Sequence, residues 1–228
     1  MKFAWIAEPP FNFREGSGIT GCDVELARQV FTEIGEDFEP VETDFAQLLT
    51  GLQDGRWDVT TGMFITPQRA ATTFFTVPIW AIRDGLLVRT GSEDPISGYR
   101  SLAASGGTLA VIEGQIQKET ALANGISPSS IQAFRDYSEA AEAVVNGSVD
   151  AYASVELAHL AYISRAGAPG LTCVRAPTAE KAPEPGAFAC RTSTIRDRMD
   201  EALRDFIGKE AHSQILDKLG LTLETLAV

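Results

Sequence analysis

The passage best equipped for chemistry is a strand-like run, Asp58 to Met63, that continues through Phe64 into Thr66-Pro67-Gln68-Arg69. A hydroxyl residue at the N-cap followed by proline at the first helical position opens a helix there. This puts Arg69 on the first turn, beside N–H groups with no partner inside the helix. A strand end of this kind suits an anion, above all a carboxylate gripped by the planar guanidinium. Read from the residues alone, a surface arginine paired with an Asp or Glu is the simpler account. A second passage is the corner Glu8-Pro9-Pro10-Phe11, stiffened because proline fixes its own φ.

Enzyme signatures are missing. The chain has no phosphate-binding loop, no G-x-G-x-x-G after a strand, no H-E-x-x-H and no G-x-S-x-G elbow. His159 and His212 fall in predicted helices without a nucleophile or metal-ligand neighbour in sequence, so core or surface roles are expected. Cys22, Cys173 and Cys190 are too scattered for structural zinc. Cys173 and Cys190 lie in two strand-like runs and could be bridged, but an odd count favours buried thiols.

Those residues need a scaffold, and the composition supplies one. The 228 residues, 44% apolar and 22% charged, make an ordinary globular chain, long enough for two compact lobes. A net charge of -12 argues against nucleic acid and anionic lipid as partners. No apolar run is long enough to span a bilayer. Met1 leads directly into a strand without a signal-like segment, so either the protein stays in the cytoplasm or an export signal has been removed.

Strands and helices alternate, which predicts an α/β fold with largely parallel sheets. The expected first series is a strand from Phe3 to Ala7, a helix from Asp23 to Ile34 stopped by Gly35, a strand from Glu39 to Thr43, a helix capped by Asp44 that buries Leu48, Leu49 and Leu52, and the strand at Asp58 to Met63. Gly85 to Arg89 is extended and leads into a Gly/Ser/Pro-rich passage, Gly91 to Gly98, suited to a crossing between lobes. A second series follows: strands at Thr108 to Ile112, Ile131 to Phe134 and Val149 to Ala153, with helices at Gln117 to Ala123, after Ser138 as cap with Ala141, Val144 and Val145 inward, and at Glu156 to Ser164. The chain crosses back near Thr178 to Gly186 and ends in two amphipathic helices, Thr194 to Ile207 and Ala211 to Leu219.

Four separated stretches carry a family resemblance: Pro9-Pro10-Phe11, Gly21-Cys22-Asp23-Val24-Glu25-Leu26-Ala27, Leu52-Gln53-Asp54-Gly55-Arg56-Trp57-Asp58, and Gly62-Met63-Phe64-Ile65-Thr66-Pro67-Gln68-Arg69. In order and spacing the chain resembles the family 3 periplasmic solute-binding proteins of ABC importers, and Asn146 to Ala151 and the Ala202-Leu203 helix extend the likeness over nearly the whole length. The resemblance implies a two-lobed type II binding-protein fold with two hinge crossings: lobe 1 from 1 to 86 and 184 to 228, lobe 2 from 87 to 183. It implies that Arg69 grips the ligand carboxylate, that Gly62 and Phe64 lend backbone polar groups, and that Gly114, Gln115 and Ile116 offer N–H groups from the other lobe.

The departures matter as much. Where many amino-acid binders in the family place an ammonium-binding Asp on the first strand, this chain has Trp5; where they place a second, it has Val155 beside Ser154. What remains is Glu8 with Phe11, Phe45 and Phe64, an acid and an aromatic cage suited to a bulky or delocalised positive charge. That set resembles the ectoine and hydroxyectoine binders of the family, although Trp5 and the phenylalanines could simply be core. The implied function is extracytoplasmic capture of a small zwitterionic carboxylate, amino acid or ectoine-like, by a monomer that closes like a hinge and delivers to a membrane permease, with no cofactor and no metal. Two alternatives stay open: a cyclohexadienyl dehydratase-like enzyme using Glu8 or Glu156 as general acid, and a sensing module of a receptor.

Overall fold

The computed structural model describes every residue except Glu93, Ala168, Pro169, Ala227 and Val228. Glu93 falls in the Gly91 to Gly98 passage, and Ala227 and Val228 fall in the returning segment, so those parts of the expectations lie outside the described residues. The chain divides into two compact units, Met1–Ile82 with Glu184–Val228, and Arg83–Pro183.

The first unit opens with β1 (Lys2–Trp5), the hairpin β2 (Phe13–Glu15) and β3 (Gly18–Thr20), α1 (Cys22–Glu33) and β4 (Glu39–Glu42). A 3-10 turn at Phe45–Gln47 runs into α2 (Leu48–Gln53), followed by β5 (Val59–Phe64), the single-turn α3 (Pro67–Ala70), β6 (Phe74–Phe75) and β7 (Trp80–Ile82). Helix α1 forms because Val24, Ala27, Val30 and Phe31 recur at three and four residues, and all four are buried. Asp44 stands at the cap position of the 3-10 turn but makes no cap bond with its side chain.

The second unit contains β8 (Asp84–Arg89), α4 (Tyr99–Ala104), β9 (Leu109–Ile112), α5 (Gln117–Ala123), β10 (Ile131–Phe134), α6 (Tyr137–Val145), β11 (Ala151–Val155), α7 (Glu156–Ala166) and β12 (Leu171–Arg175). Helix α6 is capped by Asp136, whose carboxylate accepts from the Glu139 N–H at 3.0 Å, and not by Ser138. The earlier start turns Tyr137, Ala140, Ala141 and Val144 inward and leaves Val145 56% exposed, at the edge of the stripe. The chain returns to the first unit as β13 (Glu184–Cys190), α8 (Ser193–Phe206), α9 (Glu210–Lys218) and α10 (Leu223–Leu226).

The first sheet has the order β4-β1-β5-β13-β6, with β7 also on β13; β1 is parallel to β4 and β5, whereas β13 is antiparallel to its neighbours. The second has the order β10-β9-β11-β8-β12, parallel between β9, β10 and β11, antiparallel where β8 meets β11 and β12. Because β8 pairs only within the second sheet, the first crossing lies between Ile82 and Arg83, ahead of the Gly91 to Gly98 passage, and the return lies between Pro183 and Glu184. All three thiols are free: Cys173 on β12 and Cys190 on β13 sit in different sheets, and burial pushes the Cys173 thiol up to about 12. His159 is fully buried, with Tyr137 Oη 2.6 Å from Nδ1 and the Gly85 carbonyl 3.2 Å from Nε2. A carbonyl only accepts, so Nε2 carries a proton, and desolvation, which lowers the ring to about 3, keeps it neutral. Among the described residues no helix is long and apolar enough to cross a membrane.

Candidate functional site

The parallel strand β5 ends at Phe64, and the next turn is built to place an arginine. Thr66 Oγ1 accepts the Arg69 N–H at 3.2 Å and Pro67 occupies the first helical position, so the chain turns sharply at the strand end. Arg69 is only 8% exposed, which removes the surface-arginine account. Its Nη1 donates to the Phe64 carbonyl at 2.8 Å, and its guanidinium carbon lies 5.3 Å from the centre of the Phe45 ring. The carbonyl fixes one edge of the plane and the ring covers a face. Two expectations change in consequence. The Phe64 carbonyl is committed to Arg69, and the one-turn helix contributes no open N–H at position 69, because Thr66 caps it.

The corner at Glu8 is a hydrogen-bonded turn: Glu8 N–H donates to the Asn12 carbonyl at 2.9 Å, and the Phe11 and Asn12 N–H groups return to the Glu8 carbonyl. It docks onto the start of α1 through Cys22 N–H to Pro10 and Asp23 N–H to Phe11. Gly21 permits this approach. Its φ is +130°, and a Cβ there would stand 2.1 Å from the Phe11 carbonyl oxygen. Glu8 itself is half-buried.

The aromatic residues do not form the cage as expected. Phe11 and Phe64 both pack on Trp80, at centroid distances of 5.9 and 5.2 Å, the latter edge to face. Phe45 stands apart from that pair, over Arg69. Trp5 is buried at the end of β1, with the Arg14 guanidinium 5.5 Å over its ring. The result is a chain of contacts within the first unit, running Phe11, Trp80, Phe64, Arg69, Phe45.

Sequence reasoning missed Trp80 and Asp23. Trp80 fits because two glycines leave room for its indole: a Cβ on Gly186 would lie 1.9 Å from the ring, and one on Gly62 2.8 Å from Nε1. Asp23, 2% exposed, accepts from Thr61 Oγ1 at 2.7 Å, the Gly62 N–H at 2.8 Å and Trp80 Nε1 at 3.2 Å. Gly62 was expected to lend a ligand its backbone; its N–H is committed to Asp23 instead. Desolvation outweighs these bonds and raises the Asp23 carboxyl to about 6. The only sequence signal for Asp23 was its place in the G-x-D motif; Trp80 had none.

In the second unit, Gly114 takes a φ of +82° in the turn after β9, and Gln115 donates its N–H to the Ile112 carbonyl at 3.1 Å, so that N–H is not offered to a ligand. The Gln115 side chain is buried, and its Oε1 has no hydrogen-bond partner among the described residues. Ile116 is the half-buried cap of α5, and Ser154 is fully buried on β11. Glu156 is ion-paired with Arg175 at 2.8 Å. No group of three or more His, Cys, Asp or Glu side chains arranged to hold a metal occurs among the described residues.

Residues 2–222 match the model of the bacterial extracellular solute-binding proteins, family 3. A probable amino-acid ABC transporter periplasmic-binding protein of Sinorhizobium fredii is 27% identical over the whole chain and 79% of its own length. Among solved structures, EhuB in complex with hydroxyectoine superposes with a TM-score of 0.88 at 21% identity, covering 99% of this chain and 90% of its own. The ancestral amino-acid-binding protein AncCDT-1, a precursor of cyclohexadienyl dehydratase, gives 0.84 at 25% identity over 96% and 94%. The mixed α/β architecture, the match along almost its entire length and these relatives together show that the chain belongs to the family 3 bacterial extracellular solute-binding proteins.

Proposed function

We propose that this protein is the extracytoplasmic receptor of an ABC importer and captures a small zwitterionic carboxylate whose positive charge is bulky or delocalised. The observation that carries this reading is the buried Arg69, oriented by the Phe64 carbonyl and Phe45 and continuous with the Phe11–Trp80–Phe64 face. The guanidinium takes the carboxylate, while the aromatic face and Glu8 take the cationic end. Trp5 is core and Val155 is apolar, so the acids that would hold a primary ammonium are replaced; this favours an ectoine-like solute over a plain amino acid. Gln115 Oε1 is the contribution assigned to the second unit. Capture by hinge closure, with the closed form delivered to the permease, is the mode of action this reading expects.

The dehydratase alternative loses one of its two candidate acids, because the Glu156 carboxylate is engaged by Arg175 at 2.8 Å. Glu8 is the remaining candidate. The test is a thermal-shift screen of protein unfolded and refolded to strip carried ligand, against ectoine, hydroxyectoine, betaines and the amino acids, with prephenate and arogenate turnover measured alongside. Stabilisation by an ectoine or betaine is expected. Stabilisation by a primary amino acid alone would overturn the ligand class, and consumption of prephenate or arogenate would overturn the binding role.

A further inference from the structure

We infer that Asp23 is the positioning residue of this site: its carboxylate ties the Gly62 strand end to the Trp80 indole and thereby sets the aromatic face beside Arg69. The importance of that face for ligand rests on the reading above, but the coupling itself stands on geometry. Asp23 lies in the first turn of the twelve-residue α1 and reaches three parts of the site. Its backbone N–H holds the Phe11 carbonyl at 3.1 Å; one carboxylate oxygen takes Thr61 Oγ1 and the Gly62 N–H, and the other takes Trp80 Nε1 and lies 3.8 Å from Cys22 Sγ. Asn12 Nδ2 donates to Thr61 Oγ1 at 2.7 Å, so the Thr61 hydroxyl is oriented as donor toward Asp23.

These donors need an acceptor. An ionised carboxylate offers about four lone-pair sites and no hydrogen, whereas an amide or a protonated acid must turn at least one N–H or O–H toward the cluster. Nor can the cluster spread to accommodate one: a Cβ on Gly62 would already lie 2.9 Å from Asp23 Oδ2, and the Trp80 ring is seated against Gly186. Loss of the acceptor therefore releases the indole, and with it the surface against which Phe11 and Phe64 pack. The other titratable group beside the carboxylate is the Cys22 thiol, raised well above its ordinary value and so neutral; Glu8 lies on the corner whose Pro10 and Phe11 carbonyls dock on the start of α1.

The test uses the whole chain without added ligand. Proton–nitrogen spectra between pH 4.5 and 8 follow the indole N–H of Trp80 and the amide of Gly62, with Trp57, whose indole donates to the Leu48 carbonyl at 2.8 Å, as internal reference. The Trp80 and Gly62 signals are expected to titrate together near pH 6, where Trp57 stays still, and to do so unchanged in Glu8→Gln. Asp23→Asn is expected to abolish that titration and the proton–proton contacts from the Trp80 indole to the Phe11 and Phe64 rings. Motionless signals in the wild type, titration lost in Glu8→Gln, or contacts that survive in Asp23→Asn would each overturn the inference. The wild-type titration decides the matter even should Asp23→Asn fail to fold. With hydroxyectoine or L-arginine as calorimetric probe, whichever binds the wild type should weaken about tenfold or more in Asp23→Asn; equal affinity would overturn the positioning role. Binding of neither probe, with the coupling present, would count against the proposed ligand and not against Asp23.

Discussion

Two buried titratable groups give this protein opposing responses to acid. His159 is fully buried and neutral, and desolvation lowers it from 6.5 to about 3. In the unfolded chain it takes up a proton below pH 6.5, so the unfolded state gains as pH falls and stability is lost. From pH 7 to 4 that loss is about 3 kcal/mol, at about 1.4 kcal/mol per pH unit. Asp23 behaves in reverse. Desolvation raises it from 3.8 to about 6, so the folded state binds the proton first, and stability is gained as pH falls from about 6 toward 3.8. Over the same pH range that gain is about 2 kcal/mol. The two largely cancel in the wild type and should separate in variants. Asp23→Asn removes the gain and should be about 2 kcal/mol more acid-labile than wild type between pH 7 and 4, whereas His159→Gln removes the loss and should be about 3 kcal/mol less so. Asp58 and Asp150, both held below the usual carboxylate range, respond alike in all three proteins and drop out of the differences. The assay is urea unfolding followed by far-UV circular dichroism at pH 7, 5 and 4. Asp23 belongs to the first unit and His159 to the second, so two resolved transitions would each carry one effect. Parallel pH profiles for the three proteins would refute the reasoning.

Arg69→Ala should lower affinity for a carboxylate ligand by about 100-fold or more, since removing one partner of a buried pair costs about 3–5 kcal/mol; calorimetry showing unchanged affinity would place the site elsewhere. Glu8→Gln should weaken a cationic ligand far more than a purely anionic one, and an equal loss would remove Glu8 from its role. Gly186→Ala would set a Cβ 1.9 Å from the Trp80 ring, so unfolding should show a loss of about 1–3 kcal/mol together with altered near-UV dichroism. The native thiols should resist iodoacetamide at pH 8 because burial keeps all three protonated, as mass spectrometry would report.

Local periodicity and turn chemistry were legible in the sequence: Gln117–Ala123 and Ile131–Phe134 form between the expected residues, and α1 falls within one residue of its expected bounds. The Thr66-Pro67 cap and the buried position of Cys190 also follow from residue type. These features depend on neighbours in the chain, where spacing carries the information. The four motifs identified the family, because their registers must agree together. Tertiary structure decided the rest. Asp23, Gly62, Trp80 and Gly186 meet only after β5, β7 and β13 pair, and no spacing rule links a carboxylate to an indole 57 residues away. The same assembly committed the Gly62 N–H and the Phe64 carbonyl to protein partners, and it assigned Phe45 to Arg69 and Trp5 to the core. A residue's type sets what bonds it can make, but which of them it does make depends on what the fold brings within about 3 Å.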